Sequence, residues 1–126
     1  MKKLKVAIAT LLIIPLIIAA SSIYLNRVTE NMSAMINAAE QSERASDSQK
    51  VNLELASFNK SWNIHKHVIA TFIRHSEIDI ADQSAARLNV LAESSDRTEF
   101  YAECEALKMQ LKNIADTEKF SIDNIL

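Results

Sequence analysis

The chain has 126 residues, 48% hydrophobic and 24% charged, with a formal net charge of −2. Residues 26–126 hold eleven Lys and Arg against sixteen Asp and Glu with the signs interspersed, which argues against a nucleic-acid partner and against docking on anionic lipid head groups. Glycine is absent and Pro15 is the only proline, so hairpins, bulges and phosphate-binding loops lose their usual residue, and helices broken by polar clusters remain.

The first element is residues 6–25, from Val6 through Leu25, twenty residues without a charge, preceded by Lys2, Lys3 and Lys5. A helix of that length reaches about 30 Å, the thickness of a bilayer's hydrocarbon core. Eleven of the twenty are Leu, Ile or Val, together worth about 3 to 6 kcal/mol toward insertion. Pro15 removes one helical hydrogen bond and predicts a kink, which membrane helices tolerate. A cleavable signal peptide fits the same stretch, with Ala19, Ala20 and Ser21 as the small residues at its end, although the apolar run continues through Ile23, Tyr24 and Leu25. Both readings put the remainder outside the cytoplasm, because the three lysines hold the N-terminus inside. No cysteine follows the run at the place a lipoprotein needs one. The expected organisation is a membrane anchor or signal peptide at 1–25 and one extracytoplasmic domain at 26–126, a length suited to a single modest core.

Beyond the anchor, hydrophobic residues recur at alternating spacings of three and four, which predicts an all-α chain. The membrane helix should continue outward to about Arg44 with Leu25, Val28, Met32, Met35 and Ala39 on its apolar seam. The polar cluster at 42–48 breaks it, and Ser46 with Gln49 has capping-box spacing for a second helix. That helix is expected over about 48–74, with the seam Leu55, Phe58, Trp62, His65, Ile69 and Phe72. His75 and Ser76 mark the next break, with Ser76 three residues before Asp79 as a cap. The third seam is Ile78, Ala81, Ala85, Leu88 and Ala92, rich in alanine and open to close approach. Asp96 with Glu99 caps a fourth helix on the seam Phe100, Cys104, Leu107, Leu111 and Ile114. The shared period of 3.5 residues and the short connections predict an antiparallel bundle of about four helices. The same period is also compatible with association between copies. Phe120, Ile122, Ile125 and Leu126 read as a tail packed back on the bundle, or as a partner-binding segment.

Residues suited to chemistry are few. His65 and His67 lie about 200° apart on a helix and cannot chelate one metal from one face; His65 reads as a hydrogen-bonded core histidine. His75, Glu77 and Asp79 alternate across a helix break, where a metal ion or a charged turn would use the same side chains. The aromatic seam of Phe58, Trp62 and Phe72 reads as core rather than a ligand pocket. Glu40 and Arg44 read as an exposed helical pair. Cys104 reads as a small buried apolar residue rather than a reactive thiol. No nucleophile, base and orienting group can be assembled from spacing, so neither an enzyme nor a cofactor is expected.

The stretch holding Trp62, Phe72, Ile73, His75, Glu77, Ile78 and Asp79, followed by Ser84, Arg87 and Leu88, resembles domain-of-unknown-function family 4363. So does the ending with Leu107, Lys108, Leu111, Ile114, Ser121, Asn124, Ile125 and Leu126. The resemblance implies a small bacterial protein with one N-terminal membrane segment and a helical remainder, and it implies no activity. Two departures stand out: Ala85 replaces a leucine before the A-R-L element, and Asn89, Val90 and Leu91 follow it where a more polar or aromatic pattern is expected.

The candidate partner-surface or core residues are Trp62, His75, Glu77, Asp79, Arg87 and Asn124. The expected role is protein–protein interaction or accessory work at the cell envelope, with another membrane or envelope protein as partner and a homo-oligomer possible in principle. The alternative is a ligand-sensing bundle, similar in outline to the outer domain of chemoreceptors, acting through a separate membrane partner.

Overall fold

A computed structural model describes the backbone of residues 1–125 and the side chains of residues 1–117. Among the described residues there are four helices and no strand: α1 Lys2–Arg44, α2 Ser48–Phe72, α3 His75–Glu93 and α4 Arg97–Ile125. Turns of two or three residues force each helix to run back along its predecessor. α1 packs against α2 and α4, and α3 packs against α4 and, less extensively, α2. The result is an up-down-up-down bundle.

The seam residues form its core. Leu25, Val28, Met32, Ile36 and Ala39 of α1 meet Val51, Leu55, Phe58, Trp62 and Ile69 of α2, Ile78, Ala81, Ala85 and Leu88 of α3, and Phe100, Cys104, Leu107, Leu111 and Ile114 of α4. All five predicted seam residues of α4 are 0% exposed. Two seams are shifted. In α1 the buried residue is Ile36, with Met35 half-buried beside it. In α2 the helix stops at Phe72, and Ile73 takes an extended conformation with φ −118° and ψ 148°. That turn swings Ile73 inward to 5% exposure and leaves Phe72 41% exposed.

The breaks fall where expected, but two of the three caps differ. After Arg44 the chain forms a Schellman motif: Asp47 N–H donates to the Ser42 carbonyl and Ser46 N–H to that of Glu43, both at 2.9 Å. Ser46 occupies the left-handed position at φ 58°, where glycine would be least strained. The N-cap of α2 is Asp47, whose Oδ1 accepts from Lys50 N–H at 3.1 Å; Ser46 is committed to ending α1 and cannot also begin α2. α3 starts at His75 behind Arg74 with no side-chain cap, so Ser76 lies inside the first turn. Asp96 caps α4 as predicted, accepting from Glu99 N–H at 3.0 Å.

α1 does not stop at the edge of the bundle. Residues 4–17 are exposed all round, packing begins with half-buried Ile18 and buried Ser21, and Leu25 is 0% exposed. The last turn of the uncharged run is therefore bundle core. α1 passes Pro15 without interruption; the Pro15 nitrogen has no proton, and one missing bond among so many does not end the helix.

Candidate functional site

The six residues singled out in sequence are spread over the molecule. Trp62 is 2% exposed, and its Nε1–H donates to Asp82 Oδ1 at 2.5 Å; the same carboxylate lies 3.6 Å from Lys66 Nζ. The indole is thus a core anchor with its one polar atom satisfied. His75 and Asp79 are exposed on the first turns of α3. Glu77 turns the other way, and its carbonyl oxygen and Oε2 accept from Gln110 Nε2 at 3.1 and 2.7 Å. A metal ion would need these three side chains to converge, and among the described residues no group of three His, Cys, Asp or Glu does so. The side chain of Asn124, like the apolar tail residues Phe120, Ile122, Ile125 and Leu126, lies outside the described residues.

Arg87 lines a surface groove. Its guanidinium meets Glu103 Oε1 at 3.2 Å, and the same oxygen accepts from Ser84 Oγ at 2.6 Å. Beside this pair, Ala86, Val90, Leu91 and Glu99 complete an open groove between α3 and α4. Val90 is 71% exposed, so the groove joins apolar surface from Ala86, Val90 and Leu91 to a charged edge of Arg87, Glu99 and Glu103.

The most unusual polar group is Glu40, which spacing alone assigned to an exposed pair with Arg44. It is 3% exposed, because it faces α4 rather than solvent. Lys108 Nζ reaches its Oε1 at 2.9 Å and Glu105 Oε1 at 2.7 Å. Burial works against the Lys108 ammonium, but its hydrogen bonds to Glu105 and Glu40 outweigh that, and its pKa is raised. Lys108 in turn holds the Glu105 carboxyl below the usual carboxylate range. Arg44 instead stacks over the Tyr101 ring at 5.3 Å. Nothing in the heptad pattern of α1 distinguishes Glu40 from a solvated glutamate; only the apposition of α4 buries it.

Cys104 sits one turn from Lys108 and is fully buried. Desolvation first, and the nearby charge of Glu40 second, push its thiol up to about 12. A thiol so far above neutral pH carries almost no thiolate, so it packs rather than reacts. His65 also has a structural place: its Nδ1 and the Tyr24 hydroxyl share a hydrogen bond of 2.7 Å that ties α2 to α1. At the far end Arg97 closes the bundle. Its guanidinium pairs with Glu43 at 2.7 Å and donates to the carbonyls of Leu91 and Ser94, fixing the α3–α4 turn to the end of α1.

The family model described as "Domain of unknown function (DUF4363)" matches residues 19–125. The chain belongs to this family. The match starts beside Ile18, where α1 begins to pack, so the family unit and the helical bundle coincide. No curated protein and no solved structure matches the chain. The one helix long and apolar enough to cross a membrane among the described residues is α1.

Proposed function

We propose that this family member is a bitopic, membrane-anchored helical bundle that acts by binding another membrane or envelope protein on the extracytoplasmic side, without chemistry of its own. The observation that carries the reading is the division of α1. One unbroken helix presents a bare, uncharged cylinder over residues 6–17 and a covered core seam from Leu25 onward. A rigid link of this kind holds the bundle at a fixed height and orientation on its membrane, which favours a stationary partner over a diffusing one. Lys2, Lys3 and Lys5 support a cytoplasmic N-terminus. The groove of Arg87, Val90 and Glu103 is the partner surface we favour.

The test is a photoreactive amino acid at Val90 in intact cells, compared with one at Lys60 on α2, with protease added from outside in parallel. The expected result is an adduct with one envelope protein from position 90 alone, and digestion of the bundle by external protease. A bundle protected until the membrane is opened, or adducts equal at both positions, would overturn the reading.

A further inference from the structure

The exposed apolar residues of the bundle are not scattered evenly. Away from the bare part of α1, the large ones among the described residues are Ile23, Leu53, Ile64, Val68, Phe72, Ile80, Val90 and Met109. The Tyr24–His65 bond fixes the heights of α1 and α2. Seven residues further on, Phe72 lies about 10 Å closer to the anchor, near the height of Ile17. Asp82 of α3 stands across from Trp62 and Lys66, which puts Ile80 near the height of Lys66 to Val68. Ile23, Ile64, Val68, Phe72 and Ile80 therefore form a collar around three helices at the anchor end. Among the described residues, Leu53, Val90 and Met109 are the ones left over the rest of the surface.

The length of the anchor gives this collar an occupant. The bare, uncharged cylinder of residues 6–17 is about 18 Å long, against roughly 30 Å of hydrocarbon. A bundle standing clear of the head groups would leave its anchor about 12 Å too short. Local thinning of the bilayer and sinking of the bundle share that deficit, and sinking brings the collar into the outer leaflet. We infer that the base of the bundle is a lipid-contact surface, in which Ile23, Ile64, Val68, Phe72 and Ile80 enter the boundary between head groups and acyl chains. Arg74 at the α2–α3 turn is exposed and long enough to carry its charge back to the head groups. Exposed His67, His75 and Asp79 interrupt the collar without giving it a cluster of basic residues, so the contact needs no anionic lipid, in keeping with the acidic bundle. The inference rests on the membrane reading of α1, and its test separates the two.

Single cysteines are placed at Leu11, Val68, Ile80 and Leu53 of the full chain, labelled with an environment-sensitive fluorophore and reconstituted in phosphatidylcholine vesicles containing brominated lipid. Wild-type protein controls for the buried Cys104. The expected result is strong quenching at 11, and quenching at 68 and 80 at least twofold greater than at 53, unchanged by high salt. Quenching at 11 with positions 68 and 80 no different from 53 would overturn the lipid contact and leave the anchor standing. Absence of quenching at 11 would overturn both.

Discussion

The two parts of α1 share a helix but nothing else. From Leu25 to Ala39 the seam residues are covered by α2 and α4, while residues 4–17 are covered by no part of the chain. The composition reverses accordingly. The covered part carries one apolar stripe with charges such as Arg27 and Glu30 outside it; from Val6 on, the bare part carries no charge on any side. An amphipathic stripe buries itself against neighbouring helices, whereas a uniformly apolar helix needs an apolar medium. The contrast separates what the bundle does for its own stability from what it needs from its surroundings, and each prediction below acts on one side of it.

The largest effect is expected at Trp62. Trp62→Ala should cost about 3 to 5 kcal/mol of bundle stability, measured by thermal melting of the full chain in detergent. Trp62→Phe keeps most of the apolar volume and gives up the bond to Asp82, so a loss of about 1 to 2 kcal/mol is expected. Leu11→Ala on the bare part should leave the melt unchanged and weaken membrane retention instead. Equal melting losses from Trp62→Ala and Leu11→Ala would erase the distinction between the two parts.

Next comes the pair linking α1 to α4. Lys108→Ala strands a buried carboxylate and should cost about 2 to 4 kcal/mol, whereas Glu40→Leu with Lys108→Met should restore most of the loss. Were the pair a surface ornament, both changes would fall within about 0.5 kcal/mol.

A smaller, pH-dependent effect follows from two raised values. The folded state holds the Cys104 and Lys108 protons more tightly than the unfolded state does. Their contributions are complete below the unfolded values, near 9.0 for the thiol and 10.5 for the ammonium, and are lost as pH rises through the folded ones. Melting temperature should therefore decline from about pH 9 upward, and Cys104→Ala should remove the earlier part of that decline. A flat profile to pH 11 would contradict it.

The smallest effect belongs to Arg87, whose side chain is 60% exposed beside Glu103. Arg87→Ala should change stability by no more than about 1 kcal/mol while reducing partner crosslinking from position 90. A large loss of stability would place Arg87 among the structural ion pairs instead.

Much of the fold was legible because it rests on periodicity. The α4 seam from Phe100 to Ile114 and the Asp96 cap follow directly from spacing, and the all-α class follows from the lack of glycine. Phe72 failed because periodicity cannot foresee that Ile73 leaves the helix in an extended conformation. The α1–α2 turn failed for a related reason: a Schellman motif usually advertises itself with glycine, and here Ser46 takes that position. Glu40 was hidden because its burial depends on a helix that begins more than fifty residues later. Of the six candidate residues, Trp62 is core, Arg87 lines the α3–α4 groove, and Glu77 turns away from the exposed His75 and Asp79.

The division of α1 is tested most directly by an intact mass of the native protein in membranes washed at alkaline pH with carbonate. The full 14.1 kDa chain retained in the washed membrane is the expected result, with the bare cylinder of residues 6–17 serving as an anchor. A soluble chain shortened by about twenty residues, cut near Ala20 as a signal peptidase would cut it, would contradict it and leave the bundle without a membrane to stand on.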